Sequence, residues 1–120
     1  MYSNYTTRAN IAAEISQFGG IKADVAENIS NGNSLPSGSG NFSIYTTGAL
    51  ATTEPDENTS ATLGRITIIS SALSGAIIHL HPYSLSSGTN LKWKCFVNDS
   101  AGIARHSNIP PDCTPVYVYQ

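Results

Sequence analysis

The sequence predicts an α+β domain in which one long N-terminal helix packs on a small antiparallel meander. Three observations carry this prediction. Apolar residues recur three and four apart through the first quarter of the chain and alternate with period two through the second half, and a stretch rich in Ser, Gly and Pro separates the two regimes. With 120 residues there is room for a single domain with one modest core.

Within residues 1–31 the positions Ile11, Ile15, Phe18, Val25 and Ile29 form one helical face, and Ile21 or Lys22 lies between. Gly19-Gly20 interrupts this face, so a bend is expected there. Asn31-Gly32-Asn33 supplies residues that tolerate a left-handed C-terminal cap. Residues 32–61 then read as a long surface connection through Pro36, Ser37-Gly38-Ser39-Gly40 and Pro55-Asp56-Glu57-Asn58, with a short strand signal only at Phe42-Ser43-Ile44-Tyr45. Connections of this length inside compact domains tend to carry function.

Residues 62–96 alternate as three strands: Arg65-Ile66-Thr67-Ile68-Ile69, Ala76-Ile77-Ile78-His79-Leu80-His81 and Leu91-Lys92-Trp93-Lys94-Cys95-Phe96. Their parity puts Ile66, Ile68, Ile78, Leu80, Leu91, Trp93 and Cys95 on a face covering the helix, with Trp93 expected against Phe18. Arg65, Thr67, His79, His81, Lys92 and Lys94 are expected on the solvent face. Residues 95–113 form a cysteine-bounded loop, and the tail 114–120 offers Val116-Tyr117-Val118-Tyr119 as a possible edge strand after Pro115.

Composition narrows the function. Charged residues are only 12% of the chain and Ser, Thr, Asn and Gly make the surface polar, which suits an exported protein. The formal net charge of -2 gives no overall basic field for nucleic acid. Cys95 and Cys113 have no second pair and no His spacing that completes a zinc set, so they read as one disulfide. Met1 is followed directly by Tyr2-Ser3-Asn4-Tyr5, with no apolar run long enough to span a bilayer; the chain as it stands is expected to be soluble, with any export or membrane segment removed.

The order of helix, long connection, meander and cysteine-bounded loop resembles the type IV pilin family. Tyr2-x-x-Tyr5-x-x-Arg8 is similar to the pilin helix just beyond its membrane-spanning half. Leu91-Lys92-Trp93-Lys94-Cys95 is similar to the strand entering the pilin disulfide, and Asn108-Ile109-Pro110-Pro111-Asp112-Cys113 to the Pro-containing run that closes the loop. The resemblance covers essentially the whole chain. It departs at the N-terminus, where the apolar half of the pilin helix is missing, and at the C-terminus, where seven residues follow Cys113 without a terminal Ser.

The resemblance implies a structural subunit of a bacterial surface filament and not an enzyme, without cofactors, serving adhesion, twitching motility or DNA uptake. Its partners would be other pilin subunits in a helical filament, a host receptor or surface, and DNA. It would sit in the inner membrane before assembly, through the missing apolar helix, and outside the cell in the pilus afterwards. Alternatives are a type II secretion pseudopilin, a minor or competence pilin that binds DNA, and a secreted binding module unrelated to filaments. Nothing in the residues supports catalysis or a resident metal. His79-x-His81 offers two ligands, with His106 a conceivable third, and no carboxylate or Cys completes the set. Ser, His and Asp occur without a nucleophile turn, and Gly38 to Gly40 lacks the Lys-Ser/Thr of a phosphate loop. Arg65, Lys92, Lys94, Arg105 and His106 could form a small basic patch, and sequons at Asn4, Asn28, Asn41, Asn58 and Asn98 carry little weight in so hydroxyl-rich a chain. The expected recognition loop comprises Phe96, Asn98, Asp99, Arg105, His106 and Asn108, anchored at both ends by the disulfide.

Overall fold

The structure is a computed structural model that describes residues 2–56, 59–72, 76–85, 91–99 and 109–117. The N-terminal helical region is two helices, not one: α1 (Tyr2–Ser16) and α2 (Gly19–Asn31). The break comes at Gln17–Phe18, just ahead of where Gly19-Gly20 alone would place it. Ser16 Oγ bonds back to the Ala12 carbonyl at 2.9 Å, a contact that bends helices. The Phe18 amide then tightens onto the Ile15 carbonyl at 3.0 Å. Phe18 uses the break to turn inward, where it is buried and meets Phe42 edge-on at a 5.1 Å centroid distance.

At the other end of α2, Gly32 takes the left-handed conformation (φ 70°). Its amide bonds the Ile29 carbonyl and that of Asn33 bonds the Asn28 carbonyl at 2.9 Å.

Among the described residues five strands form one sheet in chain order: β1 (Phe42–Ile44), β2 (Ile66–Ile69), β3 (Ala76–Tyr83), β4 (Lys92–Asp99) and β5 (Cys113–Tyr117). The first three pairings are antiparallel, with Ile66 opposite Leu80 and Leu80 opposite Cys95. This register aligns Ile66, Ile68, Ile78, Leu80 and Val97 on the helix-facing side, where all are essentially inaccessible together with Ile11 and Val25. The tail strand begins earlier than residue 116 and runs parallel to β4, with Cys113 beside Cys95. A parallel neighbour needs a crossover, and residues 100–112 supply the return path from Asp99.

Two expectations about the sheet faces need correction. The outer face is not simply solvated, because His81 and Phe96 are 4% exposed and pack edge-on at 5.6 Å. The long connection also returns to the end of β3, where Ala51 bridges to Tyr83 and its carbonyl accepts the Ser84 amide at 3.0 Å. Trp93 is only partly buried and lies beneath Lys22, whose Nζ is 5.4 Å from the ring centroid, while Phe18 is occupied by Phe42. The earlier helix break moves Phe18 toward β1 and leaves α2 to cover Trp93.

One polar clamp ties α1 to the sheet. The Glu14 carboxylate accepts the Ser70 hydroxyl at 2.7 Å, the Ser71 amide at 2.8 Å and the Ser71 hydroxyl at 3.0 Å. Burial acts to raise its pKa, but these bonds outweigh it and hold the carboxyl below its usual range. Glu14→Ala is expected to cost about 1 kcal/mol, with solvent exposure discounting the full value of charged hydrogen bonds. A urea midpoint unchanged from the parent would show that the clamp contributes nothing. Gly20 does not have a positive φ, and a Cβ added there would meet only open space. Gly20→Ala should therefore stabilise the protein by about 0.5 to 1 kcal/mol, which thermal melts will show as a higher midpoint.

Candidate functional site

The sequence places the candidate site at the C-terminal end of the sheet, and the structure fixes both of its anchor points. Cys95 and Cys113 are direct register partners on adjacent parallel strands, with Cα atoms 4.5 Å apart and their sulfurs bonded. Both are buried, so the cystine belongs to the core that supports the site. Ile109, 1% exposed, plugs into the same core just ahead of β5. The chain between Asp99 and Ile109 therefore starts and ends at held positions.

The expected recognition residues divide into three groups. Phe96 is withdrawn from the site, because it is an interior residue of β4 whose side chain is buried against His81. Asn98 and Asp99 belong to β4 rather than to a loop, opposite Ile77 and Ala76 on one side and Val116 and Tyr117 on the other. Asn98 is half-buried. Arg105, His106 and Asn108 lie outside the described residues.

The expected basic patch is divided as well. Lys94 Nζ is held by Glu54 at 2.8 Å, a pair that spends the cation on the long connection. Arg65 is partly withdrawn from solvent beside the Tyr45 ring, 5.9 Å from its centroid. Lys92 stays exposed. His79 and His81 lie with ring centroids 6.1 Å apart, and Thr67 Oγ1 is 3.2 Å from His79 Nδ1. Among the described residues no three His, Cys, Asp or Glu side chains are grouped to hold a metal ion.

A cleft of about 530 Å³ beside the disulfide was not legible in the sequence. Ile15, Lys22, Glu54, Trp93, Asp112 and Cys113 contribute to its walls. It arises where β5 begins opposite Cys95, so that the β4 residues before Cys95 have β3 on one side and open space on the other. No single segment of sequence encodes it, because its walls come from α1, α2, the long connection and both C-terminal strands.

With that geometry in place, comparison with known proteins decides the family. The sequence matches the pilin family, described as a bacterial filament protein, over residues 7–116. The chain belongs to the pilin family. The fold agrees with a solved structure, the Francisella tularensis pilin PilE, to which this pilin is similar with a TM-score of 0.60 and 20% identity over 93% of this chain and 96% of that one. A search of curated protein sequences found no match. Two helices on a largely antiparallel sheet, closed by a C-terminal disulfide, form the type IV pilin arrangement that the sequence resemblance implied. The pilin is accordingly a structural subunit of a surface filament and not an enzyme. Among the described residues no helix is long and apolar enough to cross a membrane.

Replacing both cysteines of this pilin by Ser is expected to cost about 3 kcal/mol, since the bond closes a loop of moderate length in the unfolded chain. Guanidinium melts of the parent and variant will measure the loss. Thiol labelling of the unreduced parent should find neither cysteine.

Proposed function

We propose that this pilin is a type IV pilus subunit whose disulfide-bounded end makes the filament's recognition contacts in adhesion, with twitching motility and DNA uptake as uses of the same filament. The observation that supports this reading most is the double anchoring of the chain leaving β4. The cystine joins β4 to β5 at Cys95 and Cys113, and buried Ile109 holds the return. Anchoring of this kind reduces the ordering cost of a contact segment before a partner arrives. Asn98 adds a half-buried hydrogen-bonding side chain at the start of that segment, and the cleft lined by Trp93, Lys22 and Asp112 adds aromatic and charged groups next to it.

On this reading the subunit assembles with other pilin subunits, is held in the inner membrane by an apolar helix upstream before assembly, and acts outside the cell in the pilus. A secretion pseudopilin and a DNA-binding minor pilin are the competing assignments. The pairing of Lys94 with Glu54 and the partial burial of Arg65 weaken the DNA alternative, because they remove two cations from an open patch.

The test is the triple variant Arg105→Ala, His106→Ala, Asn108→Ala in assembled filaments. Recognition predicts normal filaments that no longer attach to surfaces. A purely supporting role for this end predicts lower subunit stability with attachment intact, and attachment and DNA uptake that both survive would end the recognition assignment.

A further inference from the structure

The cleft beside the disulfide follows an edge of the sheet. Ile15, Lys22 and Trp93 wall it on the helix side, and Glu54 and Lys94 wall it on the outer side. Trp93 and Lys94 are successive residues of β4, so their side chains leave opposite faces of the strand. A cleft that reaches both passes around the strand's backbone edge. β4 pairs with β3 along its whole length, but β5 joins it only from Cys95 onward. Lys92, Trp93 and Lys94 thus have a strand on one side alone among the described residues. The chain ahead of β5 does not run along them, because the Cys113 amide bonds the Pro110 carbonyl at 3.0 Å and the resulting turn leaves the strand direction.

The result is a lane of three residues, about 10 Å long, floored by a strand edge and ended by Cys113. Backbone groups along such an edge are a template for an added strand. Three positions are too few for the border of another folded sheet, but they suit an extended peptide. Lys22 sets the chemistry of that peptide. Its Nζ lies 5.4 Å from the Trp93 ring centroid, and no carboxylate pairs with it among the described residues. Glu54 is already bonded to Lys94 at 2.8 Å. A residue registered opposite Trp93 points its side chain to the same helix-side compartment, so an acidic side chain there would meet Lys22.

We propose that the edge at residues 92–94 binds an extended peptide of another protein by strand addition, with an acidic side chain of that peptide opposite Trp93 and next to Lys22. The sequence argues against a second copy of this chain as the donor. Of its eight acidic residues, Glu14, Asp24 and Glu27 are helical and Asp99 is inside β4. The other four, Glu54, Asp56, Glu57 and Asp112, lie within two residues of a proline, which cannot donate to a ladder. The lane uses none of Arg105, His106 or Asn108, so this binding and the recognition contacts proposed above stand or fall separately.

Trp93 is the only tryptophan of the chain, so its fluorescence reads the lane directly. The test titrates the full chain with the capped peptide Thr-Val-Glu-Val-Thr, with the same peptide carrying Gln for Glu, and with a copy N-methylated at every core amide. The Glu peptide is expected to give a saturable change in emission, and the Gln peptide to bind about fivefold more weakly. The N-methylated copy keeps the side chains but loses the backbone donors, and should not saturate. Hydrogen exchange should slow at one or more amides of residues 92–94 in the complex. Lys22→Gln should bind the Glu and Gln peptides equally. No saturation with the Glu peptide, equal binding of the N-methylated copy, unchanged exchange at residues 92–94, or a Glu preference that survives in Lys22→Gln would each overturn the proposal. So would self-association of the peptide-free chain that added peptide dissolves, which would give the lane to a second copy.

Discussion

Lowering the pH from about 7 to about 4 is expected to remove on the order of 3 to 5 kcal/mol of folding stability, most of it through two histidines. His81 is 4% exposed and His79 is half-buried. Burial, with Arg65 as a nearby cation, pushes the His79 pKa down to about 4; burial, His79 and Arg65 push that of His81 down to about 4. Lys94, opposite His81 in the register, carries its own counter-ion Glu54. The sign follows from proton counting. Between the folded value of about 4 and the ordinary value of 6.5, the unfolded chain binds protons that the native sheet refuses. Stability is therefore complete above the ordinary value, falls as the pH drops through this window, and the histidine contribution is lost below the folded value. His81 supplies about 3 kcal/mol of the effect, and His79 less because part of its ring reaches solvent. Urea melts at about pH 7, 5.5 and 4.5 will trace the decline. His81→Phe should flatten it, and a parent midpoint that stays constant across the window would refute the neutral-histidine account.

Substituting Gly64 by Ala is expected to destabilise the pilin by about 2 to 5 kcal/mol. Gly64 has φ +88°, a conformation that penalises any Cβ. It is also packed on three sides: a Cβ would lie 2.9 Å from Pro82 Cγ, 3.0 Å from Val25 Cγ1 and 3.1 Å from Ile29 Cδ1. Position 64 is where α2 closes on the entry of β2, so the helix would have to lift. Guanidinium melts will read the loss. In a Val25→Ala background the added cost should shrink only in part, since one of the three clashing groups is gone while Pro82 Cγ and Ile29 Cδ1 remain. A loss below about 1 kcal/mol in the parent would mean that helix and strand do not meet as closely as described.

The period-two segments were the most legible part of the chain. Ile66, Ile68, Ile78 and Leu80 alternate cleanly because one face of an antiparallel sheet is buried, and all four are core residues. Alternation identifies a face but not its cover, which is why His81 was expected in solvent and Phe96 in an exposed loop. The His81 and Phe96 rings meet across β3 and β4, a contact that parity alone does not give. The helix break was half visible. Gly19-Gly20 signals weakness, but the bond from Ser16 to Ala12 and the inward turn of Phe18 set the actual position. The direction of β5 could not be read, because Thr114-Pro115-Val116 fits a parallel or an antiparallel edge equally well. The cystine at Cys95 and Cys113 joins the two strands in the observed register. For the candidate site, the anchors were legible from the cysteines, whereas the cleft depends on distances between separate segments of the chain.

The two borders of the sheet have a bearing on crowding. One is β1, three residues long, and the other is β5, which carries Pro115 in its centre and so lacks an amide there. A filament places many copies of this domain side by side for long periods, at local concentrations where an open sheet border could recruit the neighbour's border and fuse the two into a continuous ribbon. A border of three residues offers too short a template, and one interrupted by proline cannot complete its ladder. Neighbouring subunits can thus be pressed together as separate folded bodies, each keeping its own sheet.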